Sequence, residues 1–160
     1  MGGMAGRRPP HDLSESLDPV LDFMRLLWDI EHGLQSTSKR MRSTLGITGP
    51  QRLVLRVVSQ FPGMSAAEAA HVVRLHPSTL TGVIQRLVDK GLLVRDRDPQ
   101  DTRRMRLRVV RGAGRYTRQS AGTVEAAVKA ALERMPATHI THARAVLAAV
   151  ASALADVAHD

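Results

Sequence analysis

The sequence predicts a mainly α-helical fold that carries one small β-hairpin. Three observations point there. Aromatic residues make up only 2% of the chain while hydrophobic residues make up 43%, so the core must be built from Leu, Val, Ile, Met and Ala, a set that favours helix over sheet. Two segments open with capping-box spacing, Thr48-x-x-Gln51 and Ser65-x-x-Glu68, in which a hydroxyl and a carboxyl or amide satisfy orphan N–H groups reciprocally. In a third segment Met105, Leu107 and Val109 alternate with Arg104, Arg106 and Arg108, the period-two pattern of a half-buried strand.

The elements follow in order. Residues 1–12, rich in Gly, Pro and Arg, read as a disordered basic arm. Leu17, Val20, Leu21, Met24, Leu27 and Trp28 recur at helical spacing, which predicts one long helix over about 17–45, with Gly33 as a candidate kink and Gly46 as its end. Thr48 opens the next helix, Pro50 sits in its first turn where a missing donor is harmless, and Pro62-Gly63 stops it. Ser65 opens a short helix to about Arg74. His76-Pro77 marks another boundary, since residues before proline avoid helical angles. The helix after it runs to Lys90 with Leu80, Val83, Ile84, Leu87 and Val88 facing inward, and Gly91 stands at the left-handed C′ position.

Leu92-Leu93-Val94 reads as a strand, Asp98-Pro99-Gln100-Asp101 as a turn, and 105–109 as the return strand. After Gly112 and Gly114 the pattern predicts one helix to Met135, ended by Pro136, and a last helix over about 139–158. The chain therefore divides into the arm, a first helix within 13–46, a compact segment at 47–111 and a helical C-terminal part at 112–160.

Charge narrows the partner. Lys and Arg outnumber Asp and Glu by 23 to 15, a formal net charge of +8, which favours polyanions. Arg95, Arg97, Arg103, Arg104, Arg106 and Arg108 crowd the hairpin, and arginine forks match phosphate and guanine geometry. There is no cysteine, so disulfides and thiolate metal sites are excluded, and a reducing cytoplasm is the expected location. Asp18, Asp22, Arg25, Asp29 and Glu31 interrupt the first hydrophobic stretch, which argues against a signal peptide or spanning helix there and against a membrane partner.

Two capped helices joined by a tight turn and followed by a hairpin form a winged helix-turn-helix, in which the second helix enters the major groove of double-stranded DNA. On that helix Ser78, Thr79, Thr81, Gln85 and Arg86 fall on or near the outward face. Hydroxyls bond phosphates or base edges, and Gln pairs bidentately with adenine. At the hairpin, Arg97, Arg103 and Arg104 suit a narrow minor groove, with Asp101 placed to hold the Arg103 guanidinium. The plain alternative is a solvated hairpin with ordinary surface arginines.

These segments resemble the MarR family of transcriptional regulators, over about 17–158. The resemblance rests on Thr48-Gly-Pro-Gln51, on Ser65-Ala-Ala-Glu68-Ala-Ala70, on Pro77-Ser-Thr-Leu-Thr81 leading to Arg86-Leu-Val-Asp-Lys-Gly-Leu-Leu-Val-Arg95, and on Asp98-Pro-Gln-Asp-Thr-Arg103. It implies a homodimer joined through its terminal helices, a pseudo-palindromic operator, and repression relieved by a small molecule. By position it puts Ser78, Thr79, Thr81 and Gln85 on the recognition helix and makes Arg103 the wing arginine. Gly82, Arg106 and Val110 depart from the family's usual residues.

A dimer is also expected from the residues, because two long apolar stripes cannot both be buried against one small domain. For an effector, Trp28 and His32 share a helical face, with Arg56 as an anion partner. The simpler reading makes Trp28 core and His32 a satisfied polar residue. No cofactor is expected to be required, though the pocket reading suits a small aromatic or phenolic ligand. His139-x-x-His142 could join His71 or His159 in a metal-responsive regulator, but the spacing supplies no complete ligand set. No HExxH, GxSxG, Walker A or dinucleotide motif is present, so an enzyme is not expected. An architectural DNA-binding protein without effector is the remaining alternative.

Overall fold

The computed structural model describes residues 17–158, so the arm at 1–12 and His159 lie outside the described residues. It divides into two compact units, one ending at Ser36 and one beginning at Thr37. In the first unit the described residues from Pro19 onward belong to helix α1 (Pro19–Leu45), which passes Gly33 without interruption. Asp18 accepts the Val20 N–H at 2.9 Å and so starts the helix. Trp28, expected as core on the simpler reading, is 60% exposed, as are neighbouring Val20 and Ile30 to similar extents.

The second unit is built around α2 (Gly49–Gln60), α3 (Ala66–Val73) and α4 (Pro77–Asp89). Both capping boxes form. Thr48 Oγ1 accepts from Gln51 N at 3.4 Å while Gln51 Oε1 accepts from Thr48 N at 3.0 Å. Ser65 Oγ and Glu68 Oε2 exchange the same bonds at 3.2 and 2.7 Å. Such caps are worth about 1 kcal/mol each, enough to fix where short helices begin.

Helix α4 ends in a Schellman motif. Gly91 has φ +64, its N–H reaches Val88 O at 2.8 Å, and Leu92 N–H reaches Leu87 O at 2.9 Å. The turn sends the chain directly into β1 (Leu93–Arg97), which pairs antiparallel with β2 (Met105–Val109) in the register Leu93↔Val109, Arg95↔Leu107 and Arg97↔Met105. Leu107 is buried but Met105, at the hairpin's outer end, is exposed, so the alternation holds only near the core. Leu107 also bonds the α2–α3 turn, donating to Met64 O at 2.8 Å and accepting from Gly63 N at 3.0 Å. The hairpin is thereby tied to the helices by main chain as well as by packing.

The core contains Val54, Leu55 and Val58 of α2, Ala69 of α3, Leu80, Val83, Ile84 and Leu87 of α4, Leu93 and Leu107 of the hairpin, and Tyr116. Full burial of each aliphatic side chain stabilises by roughly 1.5–3 kcal/mol. It also leaves the opposite side of α4 free of structural duty.

The single helix expected up to Met135 is instead three pieces: a 3-10 turn at Arg111–Ala113, α5 (Gly114–Thr117) and α6 (Val124–Leu132). The break has a local cause. Gly122 takes φ +74, and Thr123, 1% exposed, caps α6 by accepting Ala126 N–H at 3.3 Å. Helix α7 (Ala137–Val157) follows and has no buried residue; by length and composition alone it is long and apolar enough to cross a membrane.

Candidate nucleic-acid interface

Burying Leu80, Val83, Ile84 and Leu87 turns Ser78, Thr79, Thr81, Gln85 and Arg86 outward, and all five are exposed. Their polar atoms are not equally free. Thr81 Oγ1 donates back to Pro77 O at 2.9 Å, and Gln85 Nε2 donates to Asp89 Oδ1 at 2.8 Å. Thr79 and Arg86 have no side-chain hydrogen bond or ion pair among the described residues. Ser78 is engaged by a residue the sequence reading used only as a boundary: His76 is the N-cap of α4, its Nδ1 accepting Ser78 N–H at 3.3 Å and lying 2.7 Å from Ser78 Oγ. Gly82, within this face, has open space where a Cβ would stand, so the residue leaves a gap on the helix surface.

The six hairpin arginines divide into two sets. Arg104, Arg106 and Arg108, on or beside β2, each hold a carboxylate: Glu68 of α3, Asp98 at 2.7 Å, and Asp96 at 2.9 Å respectively. Arg95, Arg97 and Arg103 have no ion-pair partner among the described residues and are exposed. The cationic surface available to a polyanion is therefore carried by β1 and the turn. Arg104, expected as a DNA contact, spends its guanidinium on the helix-turn-helix.

The turn itself is built by two aspartates. Asp98 Oδ1 accepts from Gln100 N at 2.8 Å, and Asp101 Oδ1 accepts from Arg103 N at 3.0 Å. Asp101 was expected to hold the Arg103 guanidinium; it holds the Arg103 backbone instead, because an Asx turn puts the carboxylate over the amide two residues on. The Arg103 side chain is left to point elsewhere.

These contacts set the charge states. The Ser65 backbone N–H, aided by Arg104 and the Ser65 hydroxyl, lowers the Glu68 carboxyl to about 2. The Gln100 N–H, with help from Arg106, holds Asp98 below the ordinary carboxylate range against the opposing effect of burial. Glu68 in turn raises the Arg104 guanidinium. Each ion pair offsets the charge of its own arginine, and Arg95, Arg97 and Arg103 have no such partner among the described residues.

Part of this chain matches known proteins. Residues 45–104 match the MarR family model. Over 70 residues the chain is 34% identical to an HTH-type transcriptional repressor of Mycobacterium tuberculosis (strain ATCC 25618 / H37Rv), covering 44% of this chain and 50% of the relative. The chain thus spans about half the length of the curated relatives it matches first. Among solved structures, the PcaV transcriptional regulator from Streptomyces coelicolor, in complex with its natural ligand, superposes with a TM-score of 0.69 at 27% identity, covering 86% of this chain and 97% of that one. S. aureus MepR, in a DNA complex, shares the fold at a TM-score of 0.67 and 19% identity, covering 82% of this chain and 97% of that one.

Within the segment that matches the family model a buried cation escaped the sequence reading. Arg52 of α2 is 1% exposed. Its Nη1 donates to Tyr116 O at 2.7 Å, its Nη2 to Arg118 O at 2.6 Å, and its Nε to Glu125 of α6. One guanidinium thus joins the winged domain to the segment leading into the C-terminal helices. Arg52 lies three residues from buried Leu55, so its inward direction was readable; acceptors more than sixty positions away were not.

The three residues read as an effector pocket are placed as follows. Trp28 and His32 lie on the first unit, where His32 Nε2 is 3.5 Å from Ser36 Oγ. Arg56 lies on the second and donates to Thr117 O at the end of α5. His139 and His142 are exposed on α7, and no group of three or more potential metal-binding side chains forms among the described residues.

Proposed function

We propose that this chain is a sequence-specific, double-stranded-DNA-binding transcriptional regulator, a ligand-responsive repressor that acts in the cytoplasm as a homodimer on a pseudo-palindromic operator. One observation carries the reading. Helix α4 turns a polar, unburied face outward, beside a hairpin whose Arg95, Arg97 and Arg103 have no carboxylate partner among the described residues. A helix of this kind reads base edges in a major groove, while free arginines take phosphates or a narrow minor groove. The repressor from M. tuberculosis and the ligand-bound PcaV regulator support the same assignment.

A second copy completes the molecule on this reading. Helix α7 leaves Leu154 60% and Val157 75% exposed, and α1 leaves Trp28 exposed. Apolar faces of that extent belong to an obligate interface. Arg144 and Asp156 on α7 favour a protein partner over lipid. Two reading heads then meet half-sites about one helical turn apart. An effector, of the small aromatic or phenolic class, would act by preferring a head spacing that DNA does not accept, and it shifts affinity only by that preference.

The test is operator selection from random duplex DNA followed by footprinting and mass measurement. A dimer protecting a two-fold site supports the proposal, and release by an aromatic acid supports the ligand. Binding indifferent to sequence points to an architectural protein, and a monomer that ignores duplex DNA overturns the reading.

A further inference from the structure

A glycine inside a helix destabilises it relative to alanine. Four glycines of this chain, Gly46, Gly63, Gly91 and Gly122, take positive φ, and Gly49 sits against Ser38 and Val124. Gly82, in the middle of α4, has neither reason: it is not at positive φ, and nothing stands within 4 Å of where its Cβ would be. Gly33 is equally open but lies on α1, outside the helix-turn-helix. We propose that Gly82 determines operator specificity, leaving a recess on α4 that receives the C5-methyl group of a thymine in the major groove. The inference rests on the reading of α4 as the DNA-facing helix.

The recess is at the centre of the outward face. Leu80, Val83, Ile84 and Leu87 are buried on one side of α4, and the helical period sets Gly82 nearly opposite that stripe. Residues three and four apart share a helix face, so Ser78 and Thr79 border Gly82 on one side and Gln85 and Arg86 on the other. All four are exposed, and none of them comes within 4 Å of the vacant Cβ position. Ser78 is engaged by His76 and Gln85 by Asp89. The side chains of Thr79 and Arg86 hold no hydrogen bond or ion pair among the described residues.

The chemistry of the recess selects its occupant. Its floor is helix interior, where main-chain N–H and C=O groups are already bonded to one another. An amino or carbonyl group pushed into it would lose water and gain no partner. The major groove offers one apolar projection, the thymine methyl; the other distinguishing groups there are donors and acceptors. Cytosine at the same place leaves the recess empty, and a purine edge presents only polar atoms. Arg86, one turn on, suits the O6 and N7 atoms of a neighbouring guanine.

Gly82→Ala puts on the protein the methyl group that uracil, in place of thymine, removes from the DNA. The experiment titrates the full chain and Gly82→Ala against the selected operator, and against versions in which each thymine of the half-site is replaced in turn by uracil, in both half-sites together. At one position the parent should lose about fourfold in affinity per half-site, the worth of one buried methyl group. Gly82→Ala should bind the thymine operator at least about fivefold more weakly than the parent, as overpacking requires, and should recover on the operator with uracil at that same position. Its thermal midpoint should rise by about 2–4 °C, because alanine is the better helix residue; weaker binding is then not a folding defect. Gly82→Ala binding the thymine operator as tightly as the parent overturns the inference, and so does a loss that uracil reverses at no position. A parent that binds no duplex DNA overturns the functional reading instead.

Discussion

Asp98 Oδ2 lies 2.7 Å from Arg106 Nε, and the aspartate is 4% exposed while the arginine side chain is 38% exposed. A strand position occupied by a charged residue is thereby used to pin the start of the wing turn. The same carboxylate accepts the Gln100 N–H, and Asp98 N–H bonds Arg104 O across the turn. Asp98→Ala removes both carboxylate interactions and leaves Arg106 unpaired. Hydrogen exchange at the Gln100 amide should quicken several-fold, with exchange in α2 and α4 unchanged and DNA affinity reduced. Equal protection at Gln100 in both proteins would show that the turn holds without the carboxylate.

Glu68 provides an acid-side test. Its carboxyl is lowered from 4.5 to about 2 in the folded chain, first by the Ser65 backbone N–H and then by Arg104. A carboxyl depressed on folding stabilises above its unfolded value, and the contribution is lost as pH falls through the folded one. The stability it gives is therefore complete above about pH 4.5 and fades toward pH 2. Glu68→Gln keeps the capping-box partner, since glutamine serves there too, but has no proton to take up. Thermal unfolding followed from pH 6 to 2 should show a shallower decline for Glu68→Gln than for the parent. Parallel curves would sink the assignment.

Local signals made most of the fold legible. The capping partners Thr48–Gln51 and Ser65–Glu68 lie three residues apart, and Gly91 needs only its own missing Cβ to mark the end of α4. The outward placement of Ser78, Thr79, Thr81, Gln85 and Arg86 followed from the inward stripe alone. What stayed hidden depends on contacts made at a distance. The division of the arginines is decided by Glu68, Asp98 and Asp96 across the hairpin and α3, and no count of charge reveals which guanidinium is spent. The break at 118–123 was masked by the Ala-rich helical composition that follows it, although Gly122-Thr123 carries the signal of a stop and a new cap. His76 was passed over because imidazole is an uncommon cap.

Arg52 should be the most sensitive polar position in the winged domain. It is fully buried, and its guanidinium satisfies two main-chain carbonyls besides Glu125. Arg52→Met fills similar volume but strands those acceptors, and breaking a buried pair costs about 3 kcal/mol or more. Denaturant melts of Arg52→Met and of Leu53→Ala, a neighbour that is 46% exposed, separate the position from its helix. A loss in Arg52→Met no larger than in Leu53→Ala would mean that α6 and the segment before it are held by other contacts.

The split among the wing arginines predicts which of them DNA feels. Each phosphate neutralised by the protein contributes about 0.9 to the slope of log affinity against log salt concentration. Arg97 has no ion-pair partner among the described residues, so Arg97→Ala should weaken operator binding and reduce that slope by about 0.9 for every phosphate that Arg97 neutralises. Arg108 and Asp96 cancel one another at 2.9 Å. Removing both charges together, as Asp96→Asn with Arg108→Gln, should leave the slope where it was. Titrations across the range of about 50 to 200 mM salt on one operator decide between them. A slope that drops in the double variant and persists in Arg97→Ala would mean that Arg108 abandons Asp96 for phosphate, and that the set of contacting arginines is chosen by the DNA rather than by the hairpin's own ion pairs.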